Sequence, residues 1–224
     1  METLDLQTVG LRNLNSTLQS ETANNAYKIT NPKGAHAIAC GLNRAMDVLI
    51  EGHAGFYCAG MNQLANVTIH GHAGVGLAEN MMSGTVRVTG NASQAAGATA
   101  HGGMLVIEGD TSSRCGISMK GIDIVVGGSV GHMSGFMAQA GNLVICGDAG
   151  EALGDSIYEA NIYVKGSVES LGSDCEEKPM DAEHISTLSD LLAKADIKAD
   201  ASSFKRFGSA RTLYNFQPDN AGDY

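Results

Sequence analysis

The side chains best suited to chemistry in this chain are its 7 histidines and 5 cysteines. His53, His70 and His72 fall close together, and with Asp110 they offer the nitrogen and oxygen donors that a divalent metal takes. The stretch GGSVG, residues 127–131, sets Ser129 between glycines with His132 just beyond, the outline of a nucleophile elbow. GHAGVG, residues 71–76, has three glycines in six positions, enough freedom for a backbone to wrap a phosphate. Each chemistry demands its own scaffold. An elbow needs a strand, a sharp turn and a helix. A dinucleotide or phosphate loop needs the N-terminus of a helix, and GHAGVG has the wrong glycine spacing and no helical pattern after it.

The scaffold written in the sequence is of another kind. From Val48 the chain divides, without insertion or deletion, into blocks of nineteen: VLIEGHAGFYCAGMNQLAN, VTIHGHAGVGLAENMMSGT, VRVTGNASQAAGATAHGGM, LVIEGDTSSRCGISMKGID, IVVGGSVGHMSGFMAQAGN and LVICGDAGEALGDSIYEAN. A partial seventh, IYVKGSVESLGSDC, follows. The fifth position is glycine every time: Gly52, Gly71, Gly90, Gly109, Gly128, Gly147 and Gly166. The first and third positions are always apolar, as in Val48 and Ile50 or Ile162 and Val164. Apolar–x–apolar is strand periodicity. So short a strand buries its apolar side only by stacking on copies of itself, about 4.8 Å apart. The expected fold is therefore all-β: a right-handed parallel β-helix of about seven 19-residue coils, with a short C-terminal helix and an extended tail. Each coil is expected to hold roughly three short strands, and seven coils to stack to roughly 30 Å. The fifth-position glycines read as corner residues, and Gly97, Gly116, Gly135 and Gly154, at the twelfth position, mark a second corner.

This scaffold changes the reading of the candidates. Ser129 shares the sixth position of its block with His53, His72, Asn91, Asp110 and Asp148, so a polar corner residue is the simpler role for all of them. His53 and His72 lie on adjacent coils, yet no third metal ligand is clearly placed. Cys40, Cys58, Cys115, Cys146 and Cys175 are odd in number, widely spaced and without a CxxC, which fits neither a disulfide framework nor a zinc or iron–sulfur pattern. Five reduced thiols point to the cytoplasm. METLDLQTVG lacks a basic segment followed by an apolar run, so no signal peptide is expected, and no apolar stretch is long enough for a membrane span. A net charge of −10 argues against nucleic acid. No catalytic, cofactor-binding or metal-binding residue is assigned. Arg114 and Lys120, both in the fourth coil, could face an acidic partner but read more simply as solvated.

Three segments result: an N-terminal segment, 1–28, polar and weakly patterned; the β-helix, 29–175; and a capping helix with an aromatic-rich docking tail, 176–224. Asp181 is placed as the N-cap of a helix with Ile185, Leu188, Leu191, Leu192 and Ala195 on one side, expected to shield the open edge of the last coil. In the tail, where no strand or helix period fits, Phe204, Lys205, Arg206, Phe207, Arg211, Tyr214 and Phe216 are the candidate docking residues, in cis or in trans.

The GxAG and xxGG corners on a nineteen-residue period resemble the GXGXG domain, the β-helix at the C-terminal end of the glutamate synthase large subunit. GHAGFYCAGM, with Gly52, Ala54 and Gly55, and SMKGIDIVV, with Lys120 and Gly121, carry the match over about residues 29–175. The flanks DLQTVGLRNLN and FKRFGSARTLYNF are similar to those of the small stand-alone subunit of N-methylglutamate synthase (methylamine–glutamate N-methyltransferase), which extends the resemblance over nearly the full chain. The C subunit of formylmethanofuran dehydrogenase has a similar β-helix, but the C-terminal helix and aromatic tail fit it poorly. The resemblance implies a non-catalytic subunit that braces a glutamine-amidotransferase-like chain against a chain carrying FMN and an iron–sulfur cluster, with no cofactor of its own. The contrasting hypothesis is an autonomous solenoid that binds a metal or ligand through His53, His70 and His72.

Overall fold

The computed structural model describes residues 1–211. One sheet of eleven strands runs the length of the molecule: β1 (Glu2–Asp5), β2 (Ala26–Thr30), β3 (Asp47–Glu51), β4 (Asn66–His70), β5 (Thr85–Val88), β6 (Met104–Ile107), β7 (Lys120–Val126), β8 (Ala140–Ile145), β9 (Asn161–Val164), β10 (Cys175–Lys178) and β11 (Lys205–Ser209). Strands β1 to β9 lie in sequence order and every neighbouring pair is parallel. From β3 onward the register advances by one block per coil: Val48, Val67, Val86, Leu105, Ile124, Leu143 and Ile162 stand in one row. This is the expected parallel β-solenoid. First- and third-position side chains fill its interior, with Ile50, Ile69, Leu105, Ile124, Leu143 and Ile162 fully buried.

Each coil does not hold three strands. Beyond the main strand, the seventh position forms only an isolated bridge, as in Ala54–Ala73–Ala92. Further round, the tenth, twelfth and fourteenth positions take positive φ, for example Tyr57, Ala59 and Met61 at 60°, 53° and 55°, or Met133, Gly135 and Met137 at 56°, 71° and 53°. A non-glycine residue there costs about 1 kcal/mol. Cross-coil hydrogen bonds offset that cost. Tyr57 donates up to Val75 O at 2.8 Å, Ala78 down to Cys58 O at 2.9 Å, and Asn80 up to Ala98 O at 2.9 Å.

The fifth-position glycines are required by crowding. Gly71, Gly90, Gly109, Gly128, Gly147 and Gly166 all have ordinary φ, and only Gly52 is positive. A Cβ on Gly147 would fall 2.7 Å from Gly128 C and 2.5 Å from Ser129 Oγ of the coil before.

The ends of the stack differ from the expected arrangement. Residues 1–28 contribute β1 to the ladder, then helix α1 (Leu6–Val9) and helix α2 (Leu11–Gln19). Leu14 and Leu18 of α2 are fully buried in the main core. Asn15 bonds Ala37 O and Ala39 N at 2.8 and 3.0 Å, and Gln19 bonds Cys40 O at 2.7 Å. Side-chain amides thus supply the hydrogen bonds that a preceding coil would have made. At the other end Asp181 caps helix α3 (Ala182–Lys194), as expected. That helix does not shield the last edge. It lies on the outer face of the sheet, where Leu188, Leu191 and Leu192 pack on Val106, Val125, Val144 and Tyr163. The reason is the second position of each block: Leu49, Thr68 and Arg87 in the early coils give way to those four apolar residues, which need cover. Arg87 then bonds Ala195 O at the C-terminus of α3, at 2.6 Å. The edge of β9 is instead closed by β11, which pairs antiparallel with both β9 and β10. Among the described residues, no helix is long and apolar enough to cross a membrane.

Two alanine substitutions separate crowding from backbone freedom. Gly147→Ala should cost about 3 kcal/mol, because backbone of the neighbouring coil must move. Gly34→Ala, at φ 71° with nothing within 4 Å, should cost about 1 kcal/mol. Urea unfolding of both variants measures the difference, and equal losses would contradict the crowding explanation.

Candidate functional site

The sixth-position residues form one continuous polar ladder up a corner of the solenoid. His53 Nδ1 accepts from the backbone N–H of His72 at 3.0 Å, and His72 Nδ1 from that of Asn91 at 2.8 Å. Asn91 Oδ1 accepts from Asp110 N, Asp110 Oδ1 from Ser129 N, Ser129 Oγ from Asp148 N, and Asp148 Oδ1 from Ser167 N, at 2.7–3.0 Å. Off this ladder, His36 Nδ1 makes a similar contact, accepting from Phe56 N at 2.9 Å. Each acceptor reaches over the glycine that starts the corner above it, and a Cβ there would overlap the acceptor atom.

This arrangement decides the fate of the sequence candidates. The rings of His53 and His72 stack with centroids 4.9 Å apart, but both Nδ1 lone pairs are taken by backbone donors. His70 turns to Glu51, at 3.4 Å. Among the described residues no three His, Cys, Asp or Glu side chains gather as a metal site would require. Ser129 Oγ accepts from Asp148 N, while His132 lies 4.0 Å from Glu151, so the elbow has no partner base in place. GHAGVG is a corner: Gly71 abuts Gly52 and His53, and Gly74 abuts Gly55.

Burial raises the pKa of every thiol. Desolvation pushes Cys115 up to about 12 and Cys40 and Cys175 up to about 11, and raises Cys58 further. Cys58 and Cys115 sit three coils apart and do not converge on a common point.

The tail candidates divide. Phe207 is 4% exposed within the main core and Phe204 4% exposed under α3, so both dock in cis and are withdrawn as partner contacts. Phe207 lies in strand β11, where neither a strand nor a helix was expected, because its pairing partners lie about 30 and 45 residues away. Arg206 is tied to Pro179 O and Asn161 Oδ1, both at 3.0 Å. Lys205 is exposed beside Glu177, and Arg211 pairs with Asp174 at 2.5 Å. Tyr214 and Phe216 lie outside the described residues.

Several large apolar side chains stand exposed on the outer surface. Phe56, Met61, Leu64, Met82, Met137 and Tyr158 are 39–54% exposed, at positions 9 and 14–17 of their blocks. The sequence carried this signal, since the same positions elsewhere are polar, as in Asn80, Thr99 and Gln139. Apolar side chains carried on a hydrogen-bonded wall are suited to binding other proteins.

No family model matches the chain. Over 228 aligned residues, covering all of both sequences, it is 56% identical to Protein GlxC of Rhizobium meliloti (strain 1021).

Two measurements test this account. Hydrogen bonds from the backbone and then the hydroxyl of Ser167 hold the Asp148 carboxyl below its ordinary pKa. A depressed folded value contributes stability above the unfolded pKa of about 3.9, and that contribution is lost as pH falls through the folded value. Asp148→Asn keeps an acceptor that cannot be protonated, as Asn91 does. Its melting temperature should fall less than that of the unmodified protein between about pH 5 and pH 3. Separately, Phe207→Ala should cost about 3–5 kcal/mol, whereas Lys205→Ala should cost under about 1 kcal/mol. If Phe207→Ala were as mild as Lys205→Ala by urea titration, β11 would not close the stack.

Proposed function

The chain belongs to the family of Protein GlxC, and on that premise we propose that it is a structural, non-catalytic subunit of a heteromeric glutamate-synthase-like enzyme. The observation that carries this reading is the use of its polar groups: the histidines, carboxylates and serine best placed for chemistry each hold one coil to the next. A stack so tied is a stiff spacer with several lateral faces, which is what a brace between two larger subunits requires.

In its finer form the proposal is an FMN-dependent enzyme making N-methylglutamate from methylamine and glutamate, in the cytoplasm. Its partners would be an amidotransferase-like subunit and a subunit bearing FMN and an iron–sulfur cluster. The support is the resemblance of GHAGFYCAGM, SMKGIDIVV and the two flanks to the β-helix of such enzymes. The thiols of this chain are scattered, three buried and two half-buried, so the proposal places the cluster on a partner.

The test is purification of the tagged chain from its native host, with subunit masses and a visible spectrum. Two larger chains and a flavin spectrum should come with it, and the separated chain should be colourless and inactive. Elution of the chain alone would overturn the proposal. A flavin complex that does not form N-methylglutamate from methylamine and glutamate would remove only the substrate assignment.

A further inference from the structure

The last coil leaves part of its rim bare. Past the sheet, the sixth coil binds the seventh through a second set of backbone contacts. Ala149 donates to Ser167 O and accepts from Glu169 N, both at 2.9 Å, and Leu153 donates to Ser170 O at 3.0 Å and accepts from Gly172 N at 2.8 Å. Val168 and Leu171 are the counterparts of Ala149 and Leu153 one coil on, joined to them by parallel bridges. Among the described residues, the N–H and C=O groups of Val168 and Leu171 have no backbone partner in turn. Strand β11 covers this rim only over β9, opposite Ile162–Val164. Beside it, Val168 and Leu171 line a cleft of about 300 Å³ together with Phe207, Lys205 and Glu177. Leu171 is 38% exposed, and Val168 is half-buried against the main core. Unpaired backbone groups beside apolar side chains suit an extended segment, which brings its own N–H and C=O groups in a row.

The chain itself supplies such a segment at this spot. Strand β11 ends at Ser209, and the next two residues are held at the rim: Ala210 donates to Asp174 O at 2.7 Å, and Arg211 pairs with Asp174 at 2.5 Å. Asp174 is three residues from Leu171, so the cleft begins within about 11 Å of it. Residues 212–224 lie beyond the described ones. In their sequence Tyr214 and Phe216 stand three and five residues past Arg211, a reach of about 10 and 17 Å. Thr212, Tyr214 and Phe216 are types that strands favour, and Pro218 ends the run. The run 212–217, TLYNFQ, carries no charge, so it enters an apolar cleft without stripping water from an ion. We infer that residues 212–217 close the rim of the last coil in cis, with Tyr214 and Phe216 in the cleft and their backbone paired to Val168 and Leu171. The C-terminal end of the stack is then sealed by the chain's own tail, and these two aromatics are withheld from other subunits. The inference does not rest on the proposed enzyme, because cleft and segment belong to one chain.

The chain contains no tryptophan, so Tyr214→Trp in the full chain is a single fluorescent probe. Its emission should be blue-shifted relative to the urea-unfolded chain and independent of protein concentration. Leu171→Glu added to it should remove the shift, whereas Leu64→Glu, on an exposed side chain of the first coil, should leave it. Hydrogen exchange read by NMR is the second measurement. The amides of Val168 and Leu171 should exchange about tenfold or more faster in full-length Phe216→Ser than in the unmodified chain, while those of Val130 and Ala149 keep their rates. Emission like that of the unfolded chain overturns the inference, as does a blue shift that Leu171→Glu leaves intact. Unchanged exchange in Phe216→Ser overturns it too. A blue shift that appears only as concentration rises also overturns it, since the segment then docks on a second copy of the chain.

Discussion

One acceptor atom per coil, placed to take the backbone N–H of the coil above, is the constraint on which this structure depends. The coils can approach to strand-pairing distance at that corner only if the residue under the acceptor has no Cβ, so each acceptor is paired with a glycine. The acceptor may be imidazole, amide, carboxylate or hydroxyl. His53, His72, Asn91, Asp110, Ser129 and Asp148 all perform the same act at 2.7–3.0 Å. What matters is an acceptor at the right reach, and the chemical variety that suggests catalysis in the sequence is variety in how one hydrogen bond is made. With that contact repeated, the first- and third-position side chains fall into register and the core closes as continuous apolar rows.

A stack held by a repeated contact has no internal reason to stop, and the two ends stop it differently. At the start, amides of Asn15 and Gln19 on α2 stand in for the missing coil while Leu14 and Leu18 plug the core. At the finish, β11 reverses direction, so the next coil has no parallel template, and Phe207 fills the core. Both devices close the ends of the core, while the sheet itself ends at β1 and β10. Helix α3 answers a different need. It covers the outward apolar row of Val106, Val125, Val144 and Tyr163, which the early coils lack.

The consequence for the proposed function is that recognition would fall to the outer surfaces. Buried thiols are held protonated by desolvation, and the polar side chains of the ladder are fixed by main-chain donors. A wall so rigid would lose little entropy on binding, as the proposed brace between two subunits requires.

The sequence alone determined the period, the inward rows, the glycine corner and the cap at Asp181, because each is a local pattern repeated at fixed spacing or read within one turn of helix. It also held, unread, the amphipathic spacing of Leu11, Leu14 and Leu18 and the change at the second position from Thr68 and Arg87 to Val106 and Val125. Only the tertiary structure decided the rest. Positive φ at Tyr57 or Met137 has no local cause, since the hydrogen bonds that stabilise it exist only between stacked coils. The strand at Lys205–Ser209 owes its form to β9 and β10, and its own sequence is indifferent to it. The acceptor role of His72 likewise comes from the coil above, because only the stack brings Asn91 N within 3 Å of its Nδ1.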